Sequence, residues 1–343
     1  MFPKNVWYVA CSSNEVQDKP LGRQICGDRI VFYRKGDGTI AALEDYCPHR
    51  GAPLSLGTVK DDNLVCGYHG LSMGADGVCA GMANQRVNGF PRLRTYPIIE
   101  ENGFVWIWPG DQDASSASRP PTFEWASSPD WAYGGHTFRL KCDYRLMIDN
   151  LMDLTHETHV HASSIGQREI EEVPPKTEVD GDTVTTSRLM EGIMPPPFWA
   201  AALRAKNLAD DVPCDRWQIC RYTPPSHVMI EAGVAHSGKG GYVASDADKV
   251  TCVVVDFITP ESDGSMWYFL GLARTFSVED QALTDSIRGA QAKIFAEDLL
   301  MLEAQHENHV HWNGRPVLKL NIDSGGVQSR RVLERLVEQE QSA

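Results

Sequence analysis

Cys47-Pro48-His49 and Cys66-Gly67-Tyr68-His69 constrain this chain more than any other feature of its sequence. Each run sets a cysteine and a histidine at turn spacing beside glycine or proline, so one tight loop can present a sulfur and a nitrogen together. Two such loops facing each other complete a four-ligand metal site, and the chain between them must fold back to close it. Structural zinc accepts the same donors. Common zinc-finger text, however, groups cysteine with cysteine and histidine with histidine, whereas each loop here contributes one of each. Mixed loops suit a [2Fe-2S] cluster with one iron on two thiolates and the other on two imidazoles. Both readings use the same four residues, Cys47, His49, Cys66 and His69. Imidazole ligation raises the potential above that of an all-cysteine cluster, so such a centre passes electrons singly and does no substrate chemistry itself.

The surrounding text is strand-like. From Trp7 to Pro109, short runs such as Arg29-Ile30-Val31-Phe32-Tyr33-Arg34 and Gly103-Phe104-Val105-Trp106-Ile107-Trp108 alternate with Gly, Asp and Asn turns, as in a small antiparallel β domain. The segment from Gly110 to Pro121 is small, polar and proline-terminated, which fits an interdomain connection. The expected division is 1–112, a linker at 113–121, and a second domain over 122–343. In that domain Asp143 to His161 has helical spacing, Thr251 to Ile258 and Met266 to Leu270 read as strands, and Val278 to Gln305 as a long helix. The second domain therefore reads as α+β.

The densest cluster of potential ligands is Asp153-Leu154-Thr155-His156-Glu157-Thr158-His159-Val160-His161, in a chain with 11 histidines. Iron that activates dioxygen needs two neutral imidazoles and one carboxylate on one face, with positions left open. On an ideal helix His156 and His161 lie about 140° apart, whereas His156 and His159 are neighbours, so periodicity alone favours His159. The carboxylate would come from elsewhere in the chain. Glu303-Ala304-Gln305-His306 resembles half of a di-iron site, but no second copy exists; with His309 and His311 it reads as a polar helix end.

A net charge of -14 argues against a nucleic-acid partner. It also means that an anionic substrate needs a cation placed inside a pocket. No apolar run approaches the roughly 20 residues that span a bilayer. The N-terminus has no long apolar signal segment, so a cytoplasmic protein is expected. Of the 9 cysteines, the seven outside the metal motifs read as packing residues.

The motifs Cys47-Pro48-His49-Arg50-Gly51, Cys66-Gly67-Tyr68-His69-Gly70 and Asp153-x2-His156-x4-His161 resemble the Rieske non-heme iron aromatic oxygenases, in order as well as in text, over nearly the whole chain. Runs such as Asn5-Val6-Trp7-Tyr8-Val9-Ala10-Cys11, Asp143-Tyr144-Arg145-Leu146-Met147-Ile148-Asp149-Asn150-Leu151-Met152-Asp153-Leu154 and Trp217-Gln218-Ile219-Cys220-Arg221-Tyr222 are similar to the vanillate O-demethylase oxygenase family. The resemblance implies a Rieske [2Fe-2S] domain followed by a helix-grip (START-like) α+β catalytic domain. It implies a mononuclear Fe(II) on His156, His161 and Asp298, with Glu297 the adjacent competitor for the carboxylate position and the helix loosening before His161. Asp153 would be the carboxylate that bridges His69 of one subunit and His156 of the next, and Asn150 would sit near the iron. A head-to-tail homotrimer is expected, with O2 as co-substrate and a separate reductase carrying electrons from NADH through FMN and a plant-type cluster. The chain has no GxGxxG opening a βαβ unit, which fits a separate reductase.

The implied reaction is O-demethylation of vanillate to protocatechuate and formaldehyde, with syringate, veratrate or another methoxybenzoate or aryl-methyl compound as the alternative. A Rieske electron carrier, the competing class, would leave the second domain without a role. Arg221, Tyr222 and His227 are the expected donors to the substrate carboxylate, although Arg221 equally suits a surface ion pair. Met190, Ile193, Met194, Phe198 and Trp199 are candidate pocket walls.

Overall fold

A computed structural model describes residues 1–87, 89, 91–162 and 165–342. The chain forms two compact units, one of residues 1–122 with 259–262 and one of residues 123–258 with 263–342.

The first unit is built from short antiparallel strands. They are β1 (Tyr8–Ser12), β2 (Leu21–Ile25), β3 (Asp28–Arg34), β4 (Ile40–Glu44), β5 (Thr58–Lys60), β6 (Asn63–Val65), β7 (Ser72–Met73), β8 (Cys79–Gly81), β9 (Ile98–Glu101) and β10 (Phe104–Ile107). They pair as three small sheets, β1-β10-β9, β2-β3-β4 and β5-β6-β7-β8. Alternation along β3 splits its apolar residues between two cores. Ile30 and Phe32 join Tyr8, Ile25 and Ile107, whereas Val31 and Tyr33 join Leu54, Leu64, Leu71 and both Cys47 and Cys66. The second core is thus the floor beneath the two Cys/His loops.

The second unit places helices against one seven-stranded sheet of order β11-β17-β16-β15-β14-β13-β12. Its strands are β11 (Ala132–Leu140), β12 (Lys176–Asp180), β13 (Thr183–Ile193), β14 (Cys214–Thr223), β15 (His227–His236), β16 (Lys249–Ser262) and β17 (Ser265–Arg274). The helices are α1 (Glu124–Ser127), α2 (Tyr144–Met152), α3 (Glu157–Val160), α4 (Glu169–Glu172), α5 (Pro197–Ala205), α6 (Gln281–His311) and α7 (Ser324–Ser342). The Asp143 side chain caps α2 through Arg145 N, and Asp280 caps α6 through Leu283 N, each meeting a helix donor that has no partner in the helix. On α6 the buried residues Thr284, Ile287, Phe295, Asp298 and Leu302 recur at helical spacing. Phe295 packs with its ring tilted, centroids 4.7 Å apart, against both Phe138 of β11 and Tyr268 of β17, fixing the rotation of α6.

The expected single helix from Asp143 to His161 is broken. Helix α2 ends at Met152, Asp153 is extended, and α3 begins anew at Glu157. Arg330 of α7 holds Asp149 of α2 through Nε at 2.8 Å, so the C-terminal helix braces the segment just before the break. Leu300, expected among the apolar positions of α6, is exposed, and Cys79, expected to be buried, is only half-buried.

One glycine gives a test of the packing on the sheet face that carries Trp217. Gly233 of β15 pairs with Trp217 of β14, and a Cβ there would lie 2.2 Å from Trp217 Cζ2 and 2.5 Å from the Val250 carbonyl oxygen. Gly233→Ala should destabilise the second unit by roughly 1–3 kcal/mol, read by urea denaturation followed through tryptophan fluorescence.

Candidate active site

The two Cys/His loops have one hydrogen-bond pattern used twice. Cys47 N donates to Ala52 O at 2.9 Å and Gly51 N to Cys47 O at 2.8 Å; Cys66 N donates to Leu71 O at 2.8 Å and Gly70 N to Cys66 O at 2.9 Å. Gly51 and Gly70 occupy the same left-handed position in the two loops, with φ of 69° and 75°. The result separates the donors by type. Cys47 and Cys66 are buried, and burial together with the adjacent Cys66 pushes the Cys47 thiol up. His49 and His69 are exposed, with ring centroids 4.7 Å apart. Two thiols side by side below and two imidazoles side by side above fit a rhombic cluster with unlike irons.

In the second unit the break after α2 brings a second donor set together. His156, His161 and Asp298 each offer a ligand atom within 4.8 Å of the others. His161 Nε2 lies 3.2 Å from Asp298 Oδ2 and His156 Nε2 lies 3.7 Å from Asp298 Oδ1. The opposite ring nitrogens are held from behind. His156 Nδ1 donates to the Asp153 carbonyl oxygen at 2.6 Å, and His161 Nδ1 to Glu297 Oε2 at 2.7 Å. These bonds place the protons on Nδ1 and leave both Nε2 lone pairs turned toward Asp298, the tautomers a metal requires. Asn150 Nδ2 donates to Asp298 Oδ1 at 3.0 Å and steadies the carboxylate. Burial pulls His161 down, but Asp298 and Glu297 outweigh it and raise its pKa, so positive charge is stabilised at this point. The donor set therefore fits a divalent iron.

Periodicity favoured His159, but the break changes the geometry. His156 and His161 flank α3 as its two caps and both turn toward Asp298, whereas His159, within α3, is exposed. On α6 Asp298 belongs to the buried stripe, and Glu297 stands behind His161 instead of joining the three donors. The spacing of Ile287, Phe295 and Leu302 in the sequence carries this phase. The Asp153 carboxylate is engaged within its own turn. It accepts from Thr155 N at 2.7 Å and Thr155 Oγ1 at 2.5 Å, capping the turn after α2, while its main-chain carbonyl meets His156. Glu303 and His306 bind main-chain nitrogens of Lys141 and Asp143, a use for that polar helix end which the sequence did not disclose.

Beside the three donors lies an apolar cavity of about 420 Å³ between the sheet and helices α5 and α6. Alternation selects its floor. Arg216 and Gln218 of β14, Ile230 and Ala232 of β15, Val254 and Asp256 of β16, and Tyr268 and Leu270 of β17 line it. Arg221, Tyr222 and His227 do not line it. Arg221 is on the other face of β14 and pairs with Glu231 at 3.1 Å; His227 is on the other face of β15 against Phe257; Tyr222 lies farther along β14 and donates to Pro225 O. Of the expected walls, Phe198 and Trp199 contribute, whereas Met190, Ile193 and Met194 are not among the lining residues. Arg216 was missed because it was read without its strand phase, although Trp217 and Ile219 mark the opposite face.

Residues 6–97 match the Rieske [2Fe-2S] domain, and residues 140–339 match the vanillate O-demethylase oxygenase C-terminal domain. The chain is 62% identical over 100% of its length, and 97% of the relative's, to a vanillate O-demethylase oxygenase subunit of Pseudomonas sp. (strain HR199 / DSM 7063). This chain belongs to the vanillate O-demethylase oxygenase family. A more distant relative, the oxygenase component of dicamba O-demethylase from Stenotrophomonas maltophilia, is 31% identical over 98% of each chain. The crystal structure of dicamba monooxygenase bound to 3,6 dichlorosalicylic acid superposes with a TM-score of 0.90 at 31% identity, covering 100% of this chain and 99% of that one. Membership of the vanillate O-demethylase oxygenase family makes the chain a Rieske oxygenase component, with a [2Fe-2S] cluster and non-heme iron as cofactors and a reductase as its electron source. It also favours the cluster over zinc for Cys47, His49, Cys66 and His69. Among the described residues no helix is long and apolar enough to cross a membrane.

Within this family member's cavity, Asp256 is fully buried and its Oδ1 accepts from Tyr268 Oη at 2.5 Å. Burial pushes its carboxyl up to about 7 against the opposing effect of the Tyr268 bond, and the charge of Asp298 adds to the rise. A folded pKa above the unfolded value of 3.8 means that the native state binds more protons between these limits. This contribution to stability is full below the unfolded pKa and declines as pH rises through 7. Asp256→Asn lacks the decline, so denaturant titrations should show the variant gaining on the wild type between pH 5 and pH 8.

Proposed function

We propose that the chain is the oxygenase component that O-demethylates vanillate, giving protocatechuate and formaldehyde with one atom of O2 in the product and the other in water. The observation that carries this reading is the apolar cavity beside His156, His161 and Asp298, in a chain 62% identical to a vanillate O-demethylase oxygenase subunit. Two electrons from NADH would reach it through a reductase carrying FMN and a [2Fe-2S] centre. The methoxy carbon becomes a hemiacetal that collapses to phenol and formaldehyde.

His156, His161 and Asp298 would hold the iron, which would supply the activation of O2, and Cys47, His49, Cys66 and His69 would hold the cluster, which would supply electrons one at a time. The chain's own residues do the positioning. Asp153 O and Glu297 keep the two imidazoles in the ligating tautomer. Asn150 restrains Asp298. The walls from α5 and α6 exclude water and hold the aromatic ring.

In this reading the protein works in the cytoplasm as a head-to-tail homotrimer, and Asp153 serves electron transfer between subunits. Thr155 engages Asp153 Oδ1, and the second carboxylate oxygen is the one that would reach the partner subunit's His69. Asp153→Asn should retain both metals by iron analysis and keep the cluster's visible bands, yet lose at least tenfold in formaldehyde release. Unaltered turnover would remove Asp153 from the electron path. Asp298→Ala should keep the visible bands while losing the mononuclear iron and all demethylation.

The substrate is tested by supplying reductase, NADH and O2 with vanillate, syringate and veratrate and measuring formaldehyde. Vanillate should be turned over fastest. Turnover of syringate or veratrate with none of vanillate would overturn the named substrate while leaving the reaction class in place.

A further inference from the structure

The cavity has one cation among its described lining residues apart from the histidines, and that cation is incompletely bonded. Arg216 stands on β14 at 5% exposure. Its Nη1 donates to Gln167 Oε1 at 2.7 Å. Its Nε has no hydrogen-bond partner. Its Nη2 makes only a long contact, 3.9 Å to Glu157 Oε2, beyond hydrogen-bond distance. Nε and Nη2 form one edge of the guanidinium plane, the fork that accepts a carboxylate through two parallel bonds. The occupied nitrogen is the one outside that fork.

An ordinary structural ion pair would close the fork on Glu157. Here Gln218 Nε2 donates to Glu157 Oε1 at 2.5 Å and holds that carboxylate back, leaving Glu157 Oε2 without a hydrogen bond as well. Arg188, also buried close to Glu157, gives its hydrogen bonds to the carbonyl oxygens of Val173 and Leu154. A buried guanidinium with an open hydrogen-bonding edge is costly unless an acceptor meets that edge. Burial pulls the Arg216 guanidinium down.

We infer that the Nε/Nη2 edge of Arg216 receives the ring carboxylate of the substrate, and that this bond sets which end of an aromatic acid is held away from His156, His161 and Asp298. The inference rests on the reading of the cavity as an aromatic-acid site. It also accounts for how a chain of charge -14 selects an anion: attraction is confined to one buried fork. The residue to which this fork belongs lies on the cavity face of β14, opposite the Arg221 face.

The test uses the assembled oxygenase with calorimetric binding of vanillate and of its neutral counterpart, 4-hydroxy-3-methoxybenzyl alcohol, alongside formaldehyde assays with reductase. Wild type should bind the acid more tightly than the alcohol. In Arg216→Gln the acid should weaken on the order of 100-fold while the alcohol moves little, abolishing the preference. Because Arg216→Gln takes the nearby cation from Glu157, the double variant Arg216→Gln/Glu157→Gln, which removes one charge of each sign, is measured in parallel and should also lack the preference. Acid binding at wild-type affinity in the double variant would overturn the inference, as would equal weakening of acid and alcohol in both variants. If the wild type turned over vanillate yet bound acid and alcohol equally, only this inference would fall. If it neither bound nor demethylated any aromatic acid, the proposed function would fall first.

Discussion

The meeting of Asp298 with two imidazoles depends on bringing together chain segments far apart in sequence, and much of the second unit serves that meeting. Asp298 lies on the buried stripe of α6. His156 and His161 come from an irregular stretch between α2 and the sheet. Three polar groups close to one another in an apolar setting would be unfavourable if left to themselves. Each has a supporting partner: Asn150 for Asp298, the Asp153 carbonyl for His156 and Glu297 for His161. The aromatic contacts of Phe295 with Phe138 and Tyr268 then fix the helix that carries Asp298. Packing and ligation are therefore one arrangement seen from two sides of α6.

The break after α2 is equally local in origin. Asp153 is extended, its carboxylate caps the Thr155 turn, and its carbonyl, released from the helix, becomes available to His156. Had the helix continued, that carbonyl would have been engaged along the helix axis. A short polar residue that competes with helical hydrogen bonding thus ends one helix and orients a neighbouring imidazole.

What the sequence disclosed followed the range of the interactions involved. The Cys/His loops were legible because their ligands lie within single turns. The alternating strands of the first unit and the long helix α6 were legible from period. Ideal helix geometry misjudged His159 against His161 because the side-chain capping at Asp153 is invisible to periodicity. The choice between Glu297 and Asp298 was encoded in Ile287, Phe295 and Leu302, which recur about every two helical turns, but needed the helix phase to be read. Arg221, Tyr222 and His227 were expected in the cavity from proximity in sequence to Pro224-Pro225. Whether a strand residue faces a cavity depends on a one-residue register, and Arg216 and Gln218 hold that register.

The doubled loop around Cys47 and Cys66 also gives the cluster site a direction. Its sulfur side is sealed into a core with Leu54, Leu64 and Leu71, while its two imidazole edges stand in the open. Insulation on one side and contact on the other make the site behave as a terminal rather than a wire running through the domain. The small patch around His49 and His69 is therefore where this site meets its surroundings.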